Sequence, residues 1–191
     1  MNDKTKALFD AIEKLEAEIE SEINQQQHKF HYTIEKKRIK FETAVRNHHK
    51  TLRIGVLRFL RNSGLVNILV SPIIYMQLIP LVLLDIAVSL FQFIIFPVYG
   101  IRKVPRGDFI VVDRHHLSYL NGIEKLNCAY CGYANGLLAY ARQIAGRTEE
   151  YWCPIKHARK TKGQHHSYYK FSEFGDSEGY IERKKQPRSR M

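Results

Sequence analysis

Three cysteines in 191 residues are an odd number and too few for a disulfide framework, which points to a reducing compartment. From Asp3 to about Lys50 there is neither proline nor glycine, so nothing in that stretch interrupts a helix. Met1 to Ser21 lacks an uninterrupted apolar run and a small-residue cleavage site, so no secretory signal is expected there and the first segment is expected to stay in the cytoplasm. Between Arg61 and Arg102 every charged side chain is missing except Asp85. That absence governs the reading, because a chain this short has too little other apolar sequence to cover such a block inside a soluble core.

What is present divides the chain into segments. Residues 1–50 are rich in Glu, Lys, Ala and Gln, and Leu8, Ile12, Leu15 and Ile19 fall at 4-3-4 spacing, the seam of a coiled coil. An extra four-residue step through Ile23 is a stutter, and the pattern weakens through Phe30, Ile34, Phe41 and Val45. One long helix is expected, available for self-association or for a helical protein partner. Acidic residues lie early and Lys36, Lys37, Arg38, Lys40, Arg46 and Lys50 late, so the basic end approaches the apolar block. Each basic residue near anionic lipid contributes about 1 kcal/mol of attraction. The formal net charge of +11 suits anionic surfaces, and the apolar block makes lipid a better candidate than nucleic acid.

Residues 51–104 read as a membrane unit. At ~1.5 Å per residue the stretch from Leu65 to Ile101 is about twice as long as the ~30 Å hydrocarbon core, which fits two passes better than one. Arg46, Lys50, Arg53, Arg58 and Arg61 precede it and Arg102, Lys103, Arg106 and Arg114 follow it, so both flanks are expected on the cytoplasmic side of an inner or plasma membrane. A transmembrane hairpin with Asp85 near its turn satisfies this, and Pro72, Pro80 and Pro97 leave a kinked, re-entrant hairpin as the alternative. Ile54 to Leu60 is expected to form a short interfacial helix leading in, with Arg53, Arg58 and Arg61 toward the headgroups.

Residues 105–160 carry the chemistry. Phe109 to Val112 reads as a short strand, and Asn127-Cys-Ala-Tyr-Cys-Gly-Tyr133 holds a C-x2-C pair. Tyr151-Trp-Cys-Pro-Ile-Lys-His157 adds a third Cys with a His four positions on. Two thiolates at that spacing face one ion when the backbone turns between them, and Gly132 would permit a left-handed residue there. Cys128, Cys131, Cys153 and His157 are therefore the candidate metal ligands, with a helix from Ala134 or Gly136 to about Gly146 packing Leu137, Leu138, Ala141, Ile144 and Ala145 over them. His115 and His116 are adjacent, so at most one can face an ion. They are read as surface or supporting residues, with Asp113 able to orient His115. No nucleophile, phosphate loop or paired acid accompanies them, which leans away from an enzyme.

The C-x2-C-G-Y of Cys128 to Tyr133 and the W-C-P of Trp152 to Pro154 resemble rubredoxin-type and zinc-ribbon knuckles. His157 stands where a fourth cysteine would be expected, one residue late, and three thiolates with one imidazole suit structural Zn²⁺ better than an iron centre. From Asp113 to Lys160 the chain is also similar to an uncharacterised family of bacterial membrane-associated proteins in which Y-C-G-Y-x-N-G and Y-W-C-P-I-K-H recur. That resemblance implies a module boundary and a bacterial membrane setting, and no reaction. Residues 161–191 form a basic, aromatic tail whose last fifteen residues are expected to be disordered. The expected whole is mainly α: a coiled-coil helix, a transmembrane helical hairpin and a small α+β metal-binding module. The expected function is a membrane-anchored interaction or scaffold protein with a structural zinc module, the alternative being a membrane-bound redox protein with a modified rubredoxin-like iron centre.

Overall fold

A computed structural model describes residues 3–29, 32–35, 38–41, 43–159 and 161–185. The architecture is mainly α. Helix α1 spans Asp3–Lys29, the short strands β1 (Tyr32–Glu35) and β2 (Arg38–Phe41) pair antiparallel, and helices α2 (Thr43–Thr51), α3 (Val56–Ser63), α4 (Leu65–Met76), α5 (Leu78–Tyr99), α6 (Gly122–Trp152) and α7 (Ser177–Lys185) follow. The single N-terminal helix expected to reach Lys50 is thus interrupted. Ile34 pairs with Ile39 in the hairpin, so the weak part of the heptad pattern is where β-branched residues leave the helix. Phe30, the step before it, lies outside the described residues.

The chain forms two compact units. The first joins Met1–Gly64 to Asp113–Ala129. Within it the His49 ring meets Tyr119 edge-on at 5.1 Å and Phe41 at 5.4 Å. It also contains the start of α6, which is fixed by a capping box. Asn121 Oδ1 accepts the N–H groups of Ile123 and Glu124 at 3.0 Å each, and Glu124 Oε2 accepts the Asn121 N–H at 2.8 Å.

The second unit holds Leu65–Val112 and Tyr130–Met191. Its apolar helix continues through Gln77, which keeps helical angles (φ −63°, ψ −15°), so α4 and α5 make one rod from Leu65 to Tyr99. Pro72 cannot donate to the Ile68 carbonyl, and the Ser71 hydroxyl supplies a bond there instead, at 2.8 Å. The rod ends in a Schellman cap, with Gly100 left-handed at φ 67° and the Ile101 N–H donating to the Phe96 carbonyl at 2.8 Å. The cap turns the chain back, so that residues 101–106 run along α5 and α6 then packs beside it in the same direction. Phe96, Ile101, Val104, Leu137, Tyr140 and Ile144 form the core.

The module after residue 105 departs from expectation in three ways. Phe109 to Val112 is irregular chain following a 3-10 turn at Arg106–Asp108, not a strand. The helix expected from Ala134 or Gly136 to Gly146 begins at Gly122 and ends at Trp152. Leu137 and Ile144 are buried as expected, Leu138 is exposed, and Tyr140 takes its place in the core. The tail is folded as far as Lys185: Ser172 bridges Ile155, and His165, Tyr168 and Phe171 are buried. The expected disorder from residue 177 therefore meets helix α7, and residues 186–191 lie outside the described residues.

Candidate functional site: an exposed apolar helix and its polar seam

The rod Leu65–Tyr99 is long and apolar enough to cross a membrane, and only 6% of its most apolar window is buried. Along α5 one stripe faces protein, through Leu81, Leu84, Val88, Gln92 and Phe96. The remaining surface is exposed and apolar, through Ile79, Leu83, Ile86, Leu90, Phe93 and Val98. Ile79, Leu83, Ile86, Leu90 and Phe93 recur at 4-3-4-3 spacing and form a continuous face, with Val98 exposed beyond it near the rod's end. No hairpin occurs in the rod: the turn expected near Asp85 is helical, because no glycine or other break interrupts the run from Leu81 to Phe96. Helix α3 forms near its expected position, with Leu57 85% exposed beside Arg58 and Arg61.

The protein-facing stripe is polar at two levels. Asp85 accepts a forked pair of bonds from Arg106, Nε to Oδ1 at 3.1 Å and Nη2 to Oδ2 at 2.6 Å. Tyr133 adds a bond at 3.0 Å and Ser89 another at 3.2 Å. A carboxylate expected to seek water at a turn is thus satisfied inside the fold by an arginine from outside the apolar block. Asp85 in turn holds the Arg106 guanidinium above its ordinary range, and burial followed by the Asp85 bond raises the Tyr133 phenol. Seven residues further on, Gln92 acts as an artificial strand. Its Oε1 accepts the Val104 N–H at 2.6 Å, and its Nε2 donates to the Val104 carbonyl at 3.2 Å and to the Tyr140 hydroxyl at 2.8 Å.

Glycines on α6 make the fit possible. A Cβ on Gly132 would lie 3.0 Å from the Val111 carbonyl oxygen, and one on Gly136 would collide with the Phe109 carbonyl oxygen and sit 2.8 Å from the Ile110 Cα. Gly132 therefore admits a neighbouring backbone rather than a left-handed turn; it is absent from the glycines with positive φ. At the far end of the rod Tyr99, Tyr151 and Trp152 meet edge-on, with centroids 4.7–5.5 Å apart. Lys103 Nζ lies 4.7 Å over the Phe93 ring, and Arg147 donates to the Arg102 carbonyl. Burial, followed by the charge of Arg102, lowers the Arg147 guanidinium. Aromatic rings beside cations are the composition of a membrane–water interface.

The expected metal ligands are not brought together. Cys128 and Cys131 lie one turn apart within α6, and Cys153 follows its last turn, its N–H donating to the Glu149 carbonyl at 2.8 Å. Twenty-two helical steps separate Cys131 from Cys153, about 33 Å at ~1.5 Å each, far beyond what one ion can bridge. The His157 ring stacks on Tyr168 at 6.0 Å, and the His157 main-chain N–H donates to the Tyr168 hydroxyl at 2.7 Å. All three thiols are free, and among the described residues no three His, Cys, Asp or Glu side chains gather as a metal site. His115 and His116 are exposed, their rings tilted against each other with centroids 4.0 Å apart, and Asp113 closes their turn through its main-chain carbonyl.

Sequence reasoning missed Arg106, Tyr133, Gln92 and Tyr140. The residue pairs Asp85–Tyr133 and Gln92–Tyr140 share one offset, which only the parallel packing of α5 and α6 reveals. No family model matches the chain, and comparison with curated proteins and with solved structures gives no match either.

Proposed function

We propose that this chain is a membrane-anchored interaction protein, held in lipid by the rod Leu65–Tyr99, with α1 presenting a seam to a second helix. The carrying observation is the exposed apolar face of that rod. If only half of the ~1.5–3 kcal/mol available per large apolar side chain is gained on leaving water, the six outward residues named on α5 contribute about 5–9 kcal/mol. The basic segments on either side favour the cytoplasmic, anionic leaflet. For the seam, Leu8, Ile12, Leu15, Ile19 and Ile23 are 48–60% exposed on one helix and fall at 4-3-4-4 spacing. A shared zinc or iron centre is not part of the proposal, because Cys131 and Cys153 are separated by about two-thirds of the length of α6.

Alkaline carbonate extraction of membranes containing the full chain tests the anchor. Retention in the pellet is expected, as for proteins embedded in hydrocarbon. Quantitative release into the supernatant would reduce the attachment to surface charge and remove the reading.

A further inference from the structure

A helix that crosses a bilayer once separates the chain before it from the chain after it. Here these two stretches belong to one compact unit, Met1–Gly64 with Asp113–Ala129. The His49 ring, before the rod, touches the Tyr119 ring, after it, at 5.1 Å. Lipid cannot pass between rings in contact, so the number of complete crossings is even. The rod contains no reversal, which leaves either no crossing or a return crossing by residues 100–112.

The return crossing fails on cost. That segment carries Arg102, Lys103, Arg106 and Asp108, all exposed, on non-helical backbone except for one 3-10 turn. Charged side chains and non-helical backbone are both costly at the depth of the hydrocarbon core, and the pairing of Arg106 with Asp85 offsets only one of the four charges. Length argues the same way. The rod's 35 residues extend about 52 Å at ~1.5 Å each, and fitting them into a ~30 Å core needs a tilt of roughly 55°, outside the usual range of about 0–40°.

We propose that the rod lies along one leaflet and crosses nothing, making the chain monotopic; this rests on the membrane reading above. Ile79, Leu83, Ile86, Leu90, Phe93 and Val98 enter the acyl chains, while Arg102 and Lys103 meet phosphate headgroups at the rim. The occupant of the face is one anionic leaflet, matched by the net charge of +11. Both basic flanks then share a side without any hairpin. Helix α4, exposed nearly all round, is the part that sinks deepest.

Spin labels on single cysteines at Leu69, Leu83, Leu90 and Val98 test this, in the full chain carrying Cys128→Ser, Cys131→Ser and Cys153→Ser. The vesicles are phosphatidylcholine with phosphatidylglycerol, and collisions with oxygen and with an aqueous nickel chelate report depth. Expected are similar depths at Leu83, Leu90 and Val98, with Leu69 at least as deep. Leu83 deeper than both Leu69 and Val98 would mean a crossing and overturn the inference, leaving the anchor intact. Four labels open to the nickel chelate would overturn the anchor as well. Should the thiol-free chain misfold, the native thiols serve: in sealed vesicles with the N-terminus outward, Cys131 and Cys153 should both react with an impermeant maleimide from outside. Protection of Cys153 until the vesicles are lysed would refute the single-sided arrangement.

Discussion

Replacing Gln92 by Met keeps the length and much of the volume of the side chain while deleting every polar contact it makes. The Val104 N–H and carbonyl lose the partner that holds the returning chain against α5, and Val104 is 2% exposed, so water does not replace it. At about 1–3 kcal/mol for each of the two buried groups left unpaired, Gln92→Met should cost about 2–6 kcal/mol. Tyr140→Phe removes only the hydroxyl that meets Gln92 and should cost about 0.5–1.5 kcal/mol. Because the two changes share one hydrogen bond, the double variant should lose about 0.5–1.5 kcal/mol less than the sum. Reversible unfolding in detergent micelles, followed by circular dichroism, measures all three. A Gln92→Met protein as stable as the parent, or strictly additive costs, would refute the packing of residues 101–106 and α6 onto the apolar rod.

Gly136→Ala should destabilise by about 1–3 kcal/mol through overpacking against Phe109 and Ile110, although Ala in place of Gly ordinarily stabilises a helix by about 1 kcal/mol; a gain on thermal unfolding would contradict the close approach. Cys131 and Cys153 are exposed, so both should react with Ellman's reagent in the folded protein without a chelator. Thiols that become reactive only after chelation would show that metal holds them and that the long α6 is wrong. Leu15→Asp should abolish crosslinked oligomers of the full chain while leaving it in the membrane pellet. Oligomers that persist unchanged would remove the α1 seam.

The apolar rod was legible because its signal is compositional: one charge between Arg61 and Arg102 brackets Leu65–Tyr99, although the two-pass hairpin expected there is one continuous helix. Helix α3 and the first turns of α1 were legible as helices because their apolar residues repeat with helical period over a few turns. What stayed hidden is decided over distance. The C-x2-C-G spacing fits a metal knuckle, but it fits one turn of helix equally well, and the Asn121–Glu124 capping box together with packing of Tyr133 and Tyr140 selects the helix. The box was readable in the sequence as Asn-x-x-Glu. Gly132 read as a left-handed turn and Gly136 and Gly146 as helix bounds, whereas each makes room for Val111, Phe109 or the His165 ring. Asp85 looked unpaired because its partner Arg106 lies 21 residues away, beyond the apolar block.

Trp152 offers the most direct measurement, being the chain's single tryptophan, 40% exposed and in ring contact with Tyr99 at the end of the apolar rod. In vesicles of phosphatidylcholine and phosphatidylglycerol, lipids brominated at shallow and deep acyl positions quench a tryptophan according to its depth. If the rod's outward face is a lipid face, Trp152 fluorescence shifts to the blue on vesicle binding and is quenched more strongly by the shallow bromines than by the deep ones, as an interfacial ring requires. Emission that stays at its aqueous wavelength, unquenched by either lipid while acrylamide still quenches it fully, would place the end of the rod in water and contradict the account.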